Sequence, residues 1–426
     1  MPVTFERHLP DCLQPCSERT PSKSRHCQSW RPPALGWGCC SWKPGSGPGR
    51  RFVPGLEPGS TKFLGGSGES KQSAYRVGFV GAGGIAPEHA DALGMLECAE
   101  IVSVCDLQEQ RAQAFSKKFN IPHAYSSVQE MLAHEQLDVV HMLTQPQHHL
   151  NPAFACLRAG VNVYIEKPLS RSTSDCRLLA DEALKYGRLA GVNHHLTHSR
   201  LIDEIVQATR NRRLGRINHV SVAFCAGAGK LPTREVNHFM FSTPSAILFE
   251  YCPHSFSLIR RFLGRAIEVT ALASDSKRLS NGNKYYCSWE IAAIAERGTA
   301  QLYFSAGQGN DEISISVYGQ DASAHADIKR GTLIFHENSP YPITAHLRDS
   351  LNNAKRLQKQ GISRFLNDYM VKLKLRPARL TNSFYPALAN YYSAPRAGNS
   401  FSEDALAGHD VVAYCELAAA NMKIVD

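Results

Sequence analysis

Between Arg76 and Ala86 the chain runs from a short, mostly apolar stretch, Arg76-Val77-Gly78-Phe79-Val80, straight into Gly81-Ala82-Gly83-Gly84-Ile85-Ala86; Pro87–Leu96 then follows with helical spacing. Few folds accept that order. A short apolar run suits a strand buried on both faces of a parallel sheet. The G-x-G-x-x-A turn then needs small residues for separate reasons: Gly81 permits the tight turn, Gly83 lets the backbone approach a pyrophosphate, and Ala86 lets the helix pack on the strand. Gly84 and Ile85 complete the turn, and the helix N-terminus faces the phosphates. A second strand, Ile101–Cys105, ends in Asp106, a carboxylate 20 residues beyond Ala86. There it can accept both ribose hydroxyls of an adenosine and repel a 2′-phosphate. The cofactor expected is NAD, with NADP left open because Arg111 lies nearby.

More strand–helix units follow. Leu137–Thr144, Val161–Ile165 and Leu189–Asn193 read as buried strands, with helices at Pro152–Ala159 and Leu178–Tyr186 between them. This alternation predicts a doubly wound α/β sheet, whose ligands bind beyond the carboxyl ends of the strands. Thr144, His149, Glu166, Lys167 and Asn193 all fall at or just past such ends. Further on, Asn218–Cys225, Ile267–Ser274, Tyr285–Ile294, Ala300–Phe304 and Ile313–Tyr318 are rich in β-branched and aromatic residues. Short turns such as Ser280-Asn281-Gly282-Asn283 join them, so an antiparallel sheet is expected.

The first 73 residues are of another kind. They hold ten of the 23 prolines and three of the four tryptophans, with no sustained helical or strand period. Such a segment cannot offset its ordering entropy by burial. It reads as a disordered extension, or as a start assigned too far upstream. Cys12, Cys16, His26, Cys27, Cys39 and Cys40 match no common zinc finger. The tail also carries a net +5 of the chain's +9, leaving +4 over the remaining residues. No basic cluster interleaved with aromatics remains to suggest nucleic acid. No apolar run is long enough to span a membrane. The eight cysteines outside the tail sit in apolar segments, as reduced thiols of a cytoplasmic protein would. The expected layout is an extension (1–73), a dinucleotide-binding domain (74–195), an α+β substrate domain (196–402) and a closing helix (403–426).

Taken together, Val77–Ala86, Asp106, Thr-Gln-Pro-Gln-His-His at Thr144–His149 and Ala159–Pro168 with its Glu-Lys-Pro resemble the Gfo/Idh/MocA oxidoreductases over about residues 75–335. The resemblance implies an N-terminal Rossmann domain and a C-terminal α+β domain with a large, mostly antiparallel open sheet that supports homo-oligomers. It implies hydride transfer between a nicotinamide and a sugar, nucleotide-sugar or cyclitol, with no metal. It places the Lys167 side chain at the reacting centre, orienting the hydroxyl and stabilising the alkoxide. His254 corresponds to the family's proton acceptor, and Glu250 stands four residues before it where the family commonly has Asp.

Chemistry supports that assignment, because alcohol oxidation needs a base for the hydroxyl proton and a cation beside the developing alkoxide. On a helix, Glu250 and His254 would share a face, and the carboxylate would raise the imidazole's basicity. Pro253 argues against an uninterrupted helix there, and Ser255, Ser257 and Gln145 depart from the family's pattern. Two other functions stay open: a cofactor-binding regulator without turnover, and a redox-neutral glycoside-processing enzyme that regenerates its NAD. His194, His195 and His198 have no nearby carboxylate or cysteine to complete a metal site. Ala345–Leu375 reads as a basic helix whose apolar face Gly361 breaks, hence a solvated face rather than a membrane-surface one; Asp404–Met422, with Ser402 as N-cap, reads as a helix packed on the body.

Overall fold

In the computed structural model the described residues are 74–227, 238–307, 311–373, 375, 383–396 and 401–425. The expectations for residues 1–73, and Lys374 of the basic helix, lie outside them.

The apolar runs of the first half become parallel strands β1 (Tyr75–Val80), β2 (Ala99–Cys105), β3 (His123–Tyr125), β4 (Val139–Met142), β5 (Asn162–Ile165) and β6 (Ala190–Val192). They form one sheet in the order β3-β2-β1-β4-β5-β6. The order reverses between β1 and β4, which opens a crevice at the carboxyl ends of those two strands. Helices α1 (Ala86–Leu93), α2 (Glu109–Phe119), α3 (Val128–His134), α4 (Leu150–Arg158) and α5 (Thr173–Lys185) make the crossovers. α6 (Arg200–Arg210) leads out of this sheet.

The second sheet holds β7 (Ile217–Ala226), β8 (Ala266–Arg278), β9 (Lys284–Ala295), β10 (Gly298–Ala306), β11 (Glu312–Gly319), β12 (Ala322–Asp327), β13 (Thr332–Glu337) and β14 (Met422–Ile424). Their order is β13-β12-β11-β7-β10-β9-β8-β14. Pairing is antiparallel except β7 with β10 and β14 with β8, which are parallel. The five strands legible in the sequence are all present; β12, β13 and β14 are additions. α7 (Ala246–Leu263) lies on this sheet and buries Ile247, Leu248, Phe256, Ile259 and Phe262 in its core. α7 corrects the expected interruption, because it runs unbroken through Pro253. A proline inside a helix costs about 3 kcal/mol, whereas each large apolar side chain it buries returns roughly 1.5–3 kcal/mol. Tertiary packing therefore outweighs the local rule.

α8 (Pro342–Lys372), α9 (Phe384–Arg396) and α10 (Ala405–Ala420) complete the order. α8 is also continuous, passing through Gly361 without a break. The N-cap of α10 is Asp404 rather than Ser402, its side chain accepting the Ala407 N–H at 2.9 Å. α9 and Phe401 return to the first sheet: Phe384, Leu388, Tyr391, Tyr392 and Phe401 share a core with Val77, Phe79, Val104 and Tyr164. The chain then adds to the edge of β6, where the Val192 N–H donates to the Glu403 carbonyl at 2.8 Å.

Candidate active site

The glycine turn begins where β1 ends. Gly81 has φ +103°, and a Cβ there would lie 2.9 Å from the Leu143 backbone, so both conformation and space require glycine. A Cβ on Gly83 or Gly84 would meet no atom within 4 Å, so both face open space. Ala86 is fully buried against β1, as a close helix–strand approach demands. Ile85 is the N-cap residue of α1 and supplies no side-chain cap. Asp106 leans back across the turn: its Oδ2 accepts the Ala82 N–H and its Oδ1 the Gln108 N–H, each at 2.9 Å. Each oxygen keeps a free lone pair for a ribose hydroxyl. These residues fit an adenine dinucleotide by shape and by chemistry. Replacing Asp106 with serine is expected to cut the preference for NAD over NADP by at least about tenfold, since a hydrogen bond to a charged group contributes roughly 1.5–3 kcal/mol. Steady-state KM values for the two cofactors check this.

Thr144 and His149 flank the same crevice. His149 is buried, with Nε2 2.9 Å from the Thr144 carbonyl and Nδ1 3.2 Å from the Leu169 carbonyl. It therefore straps the loop after β4 to the turn after β5, and burial lowers its pKa. The Thr144 hydroxyl is buried with no hydrogen-bond partner, a donor left over on the crevice side.

β5 delivers Glu166 and Lys167 in adjacent positions with different fates; the Lys167–Pro168 peptide is cis. Glu166 is buried, its Oε1 2.7 Å from His89 Nε2 and accepting from Asn193 Nδ2 at 2.5 Å. Burial alone would raise this carboxyl, but the His89 and Asn193 hydrogen bonds and the Lys167 charge hold it down at about 2. Asn193 in turn accepts from Tyr164 Oη at 2.9 Å. Glu166 and Asn193 thus form the buried support beneath the site. Lys167 points the other way: Nζ donates to the Glu250 carbonyl at 2.8 Å and to Glu250 Oε1 at 3.0 Å.

α7 brings Glu250 and His254 to the same place, one helical turn apart. The expected carboxylate–imidazole partnership is corrected here, because Glu250 pairs with Lys167 instead. The His254 ring stacks on Phe224 at 5.9 Å and meets His195 edge-on at 5.0 Å. Its Nδ1 is buried without a hydrogen-bond partner. Burial first, and the neighbouring Lys167 charge second, push its pKa well below the ordinary histidine value, opposite to the rise expected from a carboxylate neighbour. His195 is likewise lowered by burial, to about 3, and its Nδ1 lies 2.6 Å from Ser383 Oγ.

Several contributors were not legible in the sequence. His89 on α1, His141 on β4 and Tyr392 on α9 form a buried chain: Tyr392 Oη–His141 Nε2 2.8 Å, His141 Nδ1–His89 Nδ1 3.0 Å, then His89 to Glu166. His194 does have a carboxylate beside it, Glu403 Oε2 at 2.7 Å, which corrects the expectation of none nearby. Among the described residues no three His, Cys, Asp or Glu side chains gather as metal ligands.

Residues 75–194 match the model of a family described as an oxidoreductase family with an NAD-binding Rossmann fold, the Gfo/Idh/MocA group. Among characterised proteins, the chain is 30% identical over 141 residues to 1,5-anhydro-D-fructose reductase of Ensifer adhaerens, covering 33% of this chain and 42% of that protein. It is 23% identical over 193 residues to myo-inositol 2-dehydrogenase of Thermotoga maritima, covering 45% and 56% respectively. The chain thus spans about half the length of those relatives. Among solved structures, an Agrobacterium radiobacter oxidoreductase in complex with NAD+, L-tartaric acid and magnesium superposes with a TM-score of 0.65 at 16% identity, covering 82% of this chain and 96% of that one. The WlbA dehydrogenase of Bordetella pertussis, in complex with NADH and UDP-GlcNAcA, superposes with a TM-score of 0.62 at 16% identity, covering 82% and 96%. These likenesses extend the shared fold across both sheets.

Proposed function

We propose, on the premise of the Gfo/Idh/MocA match over residues 75–194, that the chain is an NAD-dependent dehydrogenase or reductase acting on a CH–OH carbon of a sugar, nucleotide sugar or cyclitol. One observation carries this reading: Lys167 from the end of β5 and the Glu250–His254 turn of α7 converge from different sheets on one place. Gly81, Gly83, Gly84, Ile85, Ala86, Asp106 and Thr144 would hold the cofactor, while His149, Glu166 and Asn193 fix the loops around it. Bound there, NAD would supply the hydride acceptor. Lys167 exchanges part of its pairing with Glu250 for the substrate oxygen, orients it, and stabilises the negative charge that grows there. His254 is uncharged at neutral pH and takes the hydroxyl proton. Glu250 pairs with Lys167 and aims it.

The test uses the full chain. Nicotinamide released on denaturation is identified by mass spectrometry, and reduced cofactor is followed across a panel of sugars, nucleotide sugars and cyclitols. Turnover with net reduced cofactor on one class supports the proposal. Tight cofactor binding with no turnover on the whole panel points instead to a regulator, and product without net reduction to redox-neutral chemistry. Failure to bind any nicotinamide cofactor sinks the assignment.

A further inference from the structure

α8 is an amphipathic helix docked the wrong way round for a globular protein. Up to Gln360 the residues it turns inward are Asp349, Asn353, Arg356 and Gln360, with Ala345 the apolar exception; in the last turns Asn367, Met370 and Val371 are half-buried. These polar side chains serve the edge strand β13. Gln360 Oε1 accepts the Leu333 N–H at 3.1 Å, Asn353 Oδ1 accepts the Phe335 N–H at 3.2 Å, and Asp349 Oδ2 accepts the Glu337 N–H at 2.9 Å. Asn353 Nδ2 returns a bond to the Phe335 carbonyl at 2.7 Å. The helix replaces a missing strand and so blunts the sheet edge, which would otherwise be a template for pairing.

With the polar face spent inward, the apolar face is left outside. Ile343, Leu347, Leu351, Ile362, Phe365 and Tyr369 are each more than half exposed. At 3.6 residues per turn they fall within an arc of about 100°, along a helix about 45 Å long. Ala354, Gln358 and Gly361 divide the stripe into two clusters; scattered exposed leucines need no explanation, but two clusters aligned on one helix face do. Its flank is cationic: Lys355 and Lys359 border it and Lys372 closes it, all exposed and without an ion pair among the described residues. The acidic residues of the helix are already engaged, Asp349 on β13 and Asp368 with Arg364 at 3.5 Å.

Against the expectation of a merely solvated face, we infer that this face is a docking surface for an anionic lipid bilayer, on which α8 lies flat with its apolar clusters in the headgroup boundary and its lysines on the phosphates. Charge decides between occupants. A second copy paired antiparallel would set Lys355 and Lys359 against their own counterparts. The chain's own first 73 residues carry a net +5 and would add like charge. Anionic headgroups complement the flank, and apolar area plus cationic charge is the combination that holds interfacial helices. No helix among the described residues is long and apolar enough to cross a membrane.

Vesicle flotation with the full chain tests this, using phosphatidylcholine alone and an equal mixture with phosphatidylglycerol. Co-flotation with the mixed vesicles, weakened by high salt and slight with phosphatidylcholine alone, is expected. The Leu351→Glu, Phe365→Glu double variant should lose it while retaining nicotinamide binding. The Lys355→Gln, Lys359→Gln pair should weaken partitioning by about 25-fold, since each basic residue near an anionic surface contributes about fivefold. Absence of flotation by the unsubstituted chain overturns the proposal, as does flotation undiminished in the double glutamate variant. A dimer seen by sedimentation equilibrium, broken by that variant and accompanied by no vesicle binding, overturns it in favour of a second copy.

Discussion

Replacing Lys167 with methionine is expected to lower kcat about a thousandfold while leaving the Kd for NAD within about threefold. The size follows from what the residue does: a preorganised charge aimed at a developing alkoxide typically contributes 10²–10³ in rate, and orienting the hydroxyl adds to that. The separation follows from where it sits, because Lys167 Nζ bonds to Glu250 on α7 and not to the glycine turn or Asp106. Arginine at this position should not restore the rate, since its fork does not reproduce a point donor held between one carbonyl and one carboxylate. Single-turnover kinetics with saturating cofactor, set beside calorimetric NAD binding, make the measurement. A variant that loses NAD affinity and rate together would mean that Lys167 holds the cofactor rather than the substrate.

The second large effect concerns His254. His254→Gln is expected to lower kcat/KM by about 10²–10⁴, the usual range for a positioned general base. Its pH profile gives a sharper readout. The pKa of the folded protein is depressed by burial and by the Lys167 charge, so the uncharged, proton-accepting form persists well below the ordinary value of about 6.5. The acid limb of kcat/KM should therefore fall on the low side of about pH 6.5, and it should vanish in the glutamine variant. The same shift acts on stability with a definite sign. Between the folded pKa and the unfolded value of about 6.5 the unfolded chain binds the extra proton, so this residue's contribution to stability rises with pH through that window and levels off above it. An acid limb at or above the ordinary histidine value would show that Glu250, not Lys167, governs the imidazole.

How much of this could be read from the sequence depended on how local each determinant is. The glycine turn, Asp106 and the Glu166–Lys167 pair are set by strand–turn–helix order within a few tens of residues, and the structure has each at a strand end as that order requires. The second sheet was legible where strands were long and β-branched; β12, Ala-Ser-Ala-His-Ala-Asp, has neither property and draws its identity from pairing with β11 and β13. The helix through Pro253 went unread because a local rule was overruled by buried packing at a distance. The carboxylate on His194 comes from Glu403, 209 residues away, and the hydroxyl on His141 from Tyr392, 251 residues away. No spacing in the chain announces such pairs. Glu250 illustrates a subtler limit: i,i+4 neighbourhood points to His254 as its partner, whereas Lys167 from another element lies within reach.

The return of α9 and Phe401 to the first sheet limits how this chain can be cut and recombined. The dinucleotide-binding half looks like a portable module, contiguous from Tyr75 to Val192. Its core is nevertheless finished by Phe384, Tyr391, Tyr392 and Phe401. A chimera joined just after residue 195 would inherit one protein's socket and another's plug. Exchange of cofactor specificity between relatives must therefore proceed by point changes around Asp106, or by transplanting two separated stretches together.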